Sequence, residues 1–299
     1  MGIQGNEEDI IKIEDLSMRF NQHNLFDHTN ITIKRGKTIA FLGANGTGKS
    51  TLLKIIAGIQ KPTKGSVKYE KNIQMNYVPD RFPKLNITIE ELLCELAVLD
   101  GIDEEASKKR REYYYTRFHM KDMTRTPLKY LSKGSLQKVS VIQALMGKSD
   151  LLLMDEPLSG QDLGSQQFFM EEIKKRKQEG ITILLACHEP FFVSELADQV
   201  YEINNGIWRE KKSSILNYTN CVMIEIIGAC EELQKIWKLE GLAIEVHKES
   251  NQTRIICKKE QSQKILLQLI KEGLTILDYH AFGREEDYHY VTSLYETGK

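Results

Sequence analysis

No stretch of this 299-residue sequence is apolar for long enough to cross a bilayer. The longest runs, "ITILLAC" and "LLLM", fall far short of the roughly 18 residues such a span requires. Any work at a membrane therefore calls for another chain to do the spanning. Cysteine is scarce and unpatterned: the 5 cysteines, Cys94, Cys187, Cys221, Cys230 and Cys257, include no CxxC pair, which argues against a disulfide framework or a zinc ribbon and for reduced thiols in a cytosolic protein. Excess charge of one sign is missing too. With 41 Lys and Arg against 42 Asp and Glu, the net charge is -1, and no basic tail or stripe advertises a nucleic-acid partner, so none is expected. The opening "MGIQGNEEDI" has no apolar leader and offers Asn6 where a myristoylation signal needs Ser or Thr, so neither export nor lipid anchoring is expected. Solenoid-period repeats, heptads and low-complexity tracts are absent.

What remains is an ordinary globular balance, 41% hydrophobic and 28% charged, on a chain long enough for two domains. From Ile10 to Glu210, short apolar runs alternate with helical stretches: "TIAFLG" before a helix opening at Ser50, "DLLLMDEP" before "SQQFFMEEIKKRKQEG", then "ITILLACHEP". That rhythm predicts βαβ units around a parallel sheet, an α/β core. Between Asp80 and about Ala144 the strand-like runs stop and apolar residues recur at helical spacing, which predicts an inserted helical subdomain. There, "REYYYTRFH" interleaves aromatics with bases, and a half-buried helical face explains it better than base stacking. The polar stretch "EKKSSILNYTN" marks a boundary near residue 212. Beyond it the order strand, helix, strand, strand, helix, strand predicts a ferredoxin-like α+β domain over 213–299.

The chemistry gathers at a few loops. "GANGTGKS", residues 43–50, fits GxxxxGK[ST] between a predicted strand and a predicted helix. Glycines there let backbone N–H groups converge on phosphates at a helix amino terminus, with Lys49 on the outer phosphates and Ser50 on Mg²⁺. The loop predicts a nucleoside triphosphate. In "LLLMDEP" the acid ending the apolar strand, Asp155, is placed to hold the Mg²⁺ shell. Glu156 beside it either polarises an attacking water or caps the turn before Pro157. His188 in "LLACHEP" also ends an apolar strand, although a lone histidine is ordinarily just a satisfied polar side chain.

In this order these residues resemble the ATP-binding cassette (ABC) ATPases over about Ile11 to Glu210. The separating feature is "LSKGSLQKVSVIQAL", an LSGGQ-like signature ahead of "LLLMDEP", in which Ser132 and Gly134 match the signature's serine and second glycine. The resemblance implies a P-loop NTPase cassette with a RecA-like core in residues 1–212 and the helical subdomain at about 80–145. It implies that Phe20 in "LSMRF" stacks on adenine, and that Gly43, Asn45, Gly46, Gly48, Lys49, Ser50 and Thr51 form the Walker A loop for ATP. Asp155 becomes the Walker B ligand to Mg²⁺, Glu156 the catalytic base, Asp162 in "LSGQD" the D-loop aspartate and His188 the switch histidine. Through the signature, two such chains, identical or not, are expected to trap ATP between them and to drive a transmembrane permease subunit from the cytoplasmic face.

Two departures from the family pattern qualify this. "YVPD" puts Asp80 where glutamine is usual, in the slot that faces Mg²⁺ and water, one methylene shorter and without an amide donor. Lys133 and Ser135 in "LSKGS" stand where glycine and glutamine are more common, and Lys133 either adds charge near the partner's γ-phosphate or is a solvated lysine. Similar departures, and the ending "FGREEDYHYVTSLYETG", resemble ABC-2 type and antibiotic-resistance exporters, so export is expected. The other readings are a soluble ABC ATPase of ribosomes or DNA, which usually carries two cassettes or a coiled-coil insertion, and a low-turnover nucleotide-dependent binding module.

Overall fold

The computed structural model of the chain describes residues 9–20, 23–187, 190–210, 221–228, 237, 241–249, 251–282 and 287. The chain divides into two compact units, Met1–His188 with Leu196–Ser213, and Glu189–Glu195 with Ser214–Lys299.

In the first unit a six-stranded sheet holds β3 (Thr38–Leu42), β5 (Met75–Val78), β6 (Leu151–Asp155), β7 (Thr182–Ala186), β8 (Gln199–Asn204) and β9 (Ile207–Glu210). Its order is β5-β6-β7-β3-β8-β9, parallel throughout except for the hairpin from β8 to β9. The runs TIAFL, LLLMD and TILLA are buried almost along their whole length, as parallel strands covered on both faces have to be. Because β3 and β6 run the same way with only β7 between them, the loop after β3 and the acid ending β6 emerge on one rim. The helix α1 (Lys49–Ile56) starts at that rim, and α5 (Leu163–Gln178) follows β6.

One correction to the sequence reading concerns the amino-terminal part. Rather than joining a single parallel sheet, β1 (Asp9–Phe20), β2 (His23–Lys34) and β4 (Lys64–Tyr69) form a separate antiparallel sheet, ordered β2-β1-β4. The cause is alternation: Ile11, Ile13, Ile31 and Ile33 are buried while Lys12, Glu14 and Thr32 stay exposed, the pattern of a sheet covered on one face.

Between β5 and β6 lie the expected helices, α2 (Ile89–Leu99), α3 (Glu104–Arg117) and α4 (Lys133–Met146). Each has its own start signal. Thr88 and Glu91 form a capping box on α2, Asp103 caps α3 through the Ala106 N–H, and Ser132 caps α4 through the Ser135 N–H. The aromatic stretch of α3 is half buried: Tyr114, Tyr115 and Phe118 are enclosed, Tyr113 is exposed at 43%, and Tyr113 and Tyr114 both donate to Glu172 of α5. Burial pushes the Tyr114 phenol up to about 12, so it donates at any physiological pH.

The second unit is an antiparallel sheet of β10 (Cys221–Ile227), β11 (Ala243–Glu249), β12 (Gln252–Lys258) and β13 (Ile276–Ala281), ordered β11-β12-β10-β13, with α6 (Lys259–Lys271) between β12 and β13. The first and third strands are central, as a βαββαβ chain arranges them. The segment expected to form its first helix lies outside the described residues except for Trp237, which is wholly buried against Val222, Ile224, Ile255, Ile265 and Leu269.

Candidate functional site

The loop after β3 is shaped by glycines. Gly43, Gly46 and Gly48 have φ of 150°, 82° and 112°, a region that L side chains rarely adopt. Gly43 is the most constrained, since a Cβ there would stand 2.5 Å from Ile203 Cγ2 and 2.8 Å from Thr47 Oγ1. Gly48 precedes α1 without any side-chain cap, so the first N–H groups of that helix stay available at its positive end. Lys49 folds back, donating from Nζ to the Gly43 carbonyl at 2.6 Å and the Ala44 carbonyl at 3.2 Å. Its ammonium is 95% shielded as a residue, and burial lowers its pKa despite the opposing pull of Glu156 and Asp155.

Ser50, next along α1, donates from Oγ to Asp155 Oδ1 at 2.9 Å. Asp155 is fully buried at the end of β6, and burial raises its pKa, with the Ser50 bond opposing and Asp80 reinforcing the shift. Its other oxygen, Oδ2, has no hydrogen-bond partner. A buried carboxylate oxygen without a donor is costly by about 1–3 kcal/mol or more, and a hard cation beside Ser50 Oγ relieves it. The donor set therefore fits Mg²⁺. Among the described residues no group of three or more His, Cys, Asp or Glu is arranged for a metal.

Asn45, Gly46, Gly48, Lys49, Ser50, Thr51, Asp80, Lys133, Glu156 and Ser159 line one open cavity of ≈ 450 Å³. Two larger cavities lie along α3, one shared with α5 and residues 147–149, the other with Glu90 of α2 and residues 121–125, away from these loops. Glu156 has φ of 49° although it is not glycine and precedes Pro157. Such a conformation costs on the order of 1–3 kcal/mol and clusters at working sites. Its N–H donates to the Ala186 carbonyl of β7 at 2.8 Å, which extends the ladder past the end of β6. Asp80 follows β5, 3.7 Å from the Arg81 guanidinium.

The signature and the loop at 158–162 meet in the same chain. Gly134 admits no side chain, because a Cβ would lie 2.0 Å from the Gly160 carbonyl oxygen. Asp162 caps α5 through the Ser165 N–H at 2.9 Å and pairs with Lys138 of α4. Burial works against its ionisation, yet the hydrogen bonds from Lys138 and Ser165 and the Lys138 charge hold its carboxyl well below the usual range. Ser132 remains exposed at the start of α4. Lys133, which the sequence reading weighed for a partner's phosphate, is an exposed residue lining its own chain's cavity. Phe20 ends β1 with 49% of its surface exposed, free to present a ring. His188 lies outside the described residues. One residue the motif reading missed is Gln137, whose carboxamide is buried between Pro79 and Glu156.

Comparison with known proteins gives a consistent answer. A sequence model described as ABC transporter matches residues 26–159. A protein named zinc import ATP-binding protein ZnuC from Rickettsia conorii is 30% identical over 205 residues, covering 67% of this chain and 85% of the relative. ZnuC 2 of Aliivibrio fischeri is 31% identical, covering 66% and 80%. Among solved structures, an ATP-binding subunit of an ABC transporter superposes with TM-score 0.62 at 25% identity, covering 68% of this chain and 90% of that one. A dimeric cassette in a post-hydrolysis state with ADP and Pi superposes at 0.59 and 23% identity over 68% and 98%, a likeness of fold.

Proposed function

The chain belongs to the ABC transporter family as an ATP-binding subunit with an ABC ATPase domain, and from that premise we propose which residues do the work and how the energy leaves. Lys49 and the N–H groups of residues 46–51 receive the outer phosphates, Ser50 and Asp155 hold Mg²⁺ with Asp80 facing it, and Glu156 orients the attacking water and takes its proton. Phe20 supports the adenine ring. The observation that carries this reading is the orphaned Oδ2 of buried Asp155 beside Ser50, on the rim where Glu156 is held with a strained backbone. When bound with the triphosphate, Mg²⁺ supplies Lewis-acid charge to the phosphate oxygens. Ammonium and backbone donors add fixed positive charge that needs no reorganisation.

Ser132, exposed at the start of α4, and Gly134, buried just behind it, serve the nucleotide of a second cassette, with Asp162 braced behind them; His188 is assigned the γ-phosphate on family likeness alone. No helix among the described residues is long and apolar enough to cross a membrane. On family likeness, the cassette is assigned a separate transmembrane subunit, met from the cytoplasmic side. The expectation of export draws no support from the relatives above, which are named for zinc import. Direction is assigned here to the membrane subunit, because nothing in the phosphate chemistry distinguishes inward from outward transport.

Replacing Glu156 by Gln tests the reading in the full-length chain. Steady-state ATP hydrolysis is expected to fall at least about a hundredfold, as for loss of a general base, while nucleotide binding persists and ATP-dependent dimers accumulate in light scattering. Equal turnover in the two proteins would favour the low-turnover binding module.

A further inference from the structure

One edge of the six-stranded sheet is β5, whose outer backbone groups have no neighbouring strand among the described residues. Side chains of the signature helix cover it. Asn76 Nδ2 donates to the Ala144 carbonyl at 2.8 Å, and Gln143 Nε2 donates to the Tyr77 carbonyl at 3.0 Å. At the other end, Gln137 Nε2 donates to the Pro79 carbonyl at 3.2 Å. The spacing is commensurate: seven residues of helix and three of strand each advance about 10 Å, so an antiparallel α4 meets β5 in step. Gln137 does more than its neighbours, because the same amide nitrogen also donates to the Glu156 carbonyl at 3.2 Å. Its side chain is 99% buried, and both amide hydrogens are used.

We propose that Gln137 is a positioning residue for ATP hydrolysis: it fixes the peptide of Glu156 and so makes the aim of that carboxylate depend on where the signature helix sits. This rests on the reading of Glu156 as the base. The Glu156 N–H is held by Ala186 on one side and its carbonyl by Gln137 on the other, so the left-handed backbone is clamped at both ends. The second bond ties the same amide to Pro79, the residue before Asp80. One carboxamide thus joins the start of the helical insertion, the helix that carries Ser132 and Gly134, and the backbone of Glu156. Displacement of α4 has to stretch one of these two bonds, and the base moves with it. An error of about 1 Å in such a group is enough to slow chemistry by about a hundredfold.

The test compares Gln137→Met, Gln137→Glu and Glu156→Gln in the full-length chain. Methionine keeps the length and removes both donors: kcat is expected to fall about tenfold or more, while KM for ATP and nucleotide affinity change less than about threefold. The introduced glutamate is expected to lose more activity at neutral pH and to recover part of it, relative to wild type, as acid restores one O–H donor. A kcat for Gln137→Met within about twofold of wild type, with Glu156→Gln inactive, overturns the positioning role and leaves the base intact. Full activity of Glu156→Gln overturns both. Should Gln137→Met fail to fold, the acid recovery of Gln137→Glu decides, and a pH profile parallel to wild type counts against the proposal.

Discussion

The two units both rest on sheets, and they handle polar groups in opposite ways. In β3, β6 and β7, the inner strands of the parallel sheet, the interiors are apolar, and charge appears where β6 stops, at Asp155 and Glu156. Several strand ends share one rim, so groups far apart in sequence converge there with unmet bonding capacity, such as Oδ2 of Asp155. The antiparallel sheet of the second unit buries Val222, Ile224, Ile226, Ile255 and Cys257 on one face, and on the other sets charged side chains of neighbouring strands beside a small apolar cluster of Cys221, Met223, Ile256 and Phe282. Those charges satisfy each other: Arg254 meets Glu225 at 2.7 Å, and His280 sits between Asp278 and Asp287 at 2.9 and 2.8 Å. Convergence at strand ends leaves chemistry to be done, whereas pairing across strands uses it up.

The sharpest way to break this contrast is to hollow out the second unit. Trp237→Ala is expected to cost that unit about 3–5 kcal/mol, seen as faster hydrogen exchange in β10 and β12, with ATP turnover at 25 °C unchanged within about twofold. A parallel loss of turnover would mean that the hydrolytic rim depends on the appendage. A smaller effect is expected within the first unit. Gly134→Ala forces a methyl group against the Gly160 carbonyl, and overpacking of this kind costs about 1–3 kcal/mol, measured by denaturant unfolding. Hydrolysis should fall with it. An unaltered midpoint and rate would show that the two loops part freely.

The smallest effect sharpens the point about paired charge. Asp162→Asn keeps an acceptor for the cap of α5 and removes the attraction to Lys138 together with the acceptor that Oδ2 offers to Lys138 and to the Ser165 hydroxyl. Because the Asp162 side chain is 53% exposed, solvent screens the pair and the expected loss is under about 1 kcal/mol. The sign follows from the depressed pKa. The stabilisation is complete above the unfolded value of about 3.9 and disappears as pH falls below it, so wild type and variant should differ at pH 7 and converge in acid.

How much of this was readable beforehand depended on whether the cause was local. The phosphate loop and "LLLMDEP" were legible because glycine conformation and the end of an apolar strand are properties of a few adjacent residues. The helical insertion was legible from periodicity alone, while its caps, such as Thr88 and Asp103, came from the structure. The separate sheet of β1, β2 and β4 was not, since alternation in β1 says that one face is covered without saying which strands lie alongside. Gln137 was invisible for a related reason. A glutamine on a helix acquires meaning only from the register of that helix against the end of an edge strand, here Pro79, 58 residues earlier in the chain.

The resting contacts of Lys49 carry a last consequence. Its ammonium leans on the carbonyls of Gly43 and Ala44, so the loop's own backbone supplies the acceptors that hold this side chain in place. On the function proposed above, engagement of a phosphate would be a swap of acceptors by that single flexible arm, from carbonyl to phosphoryl oxygen.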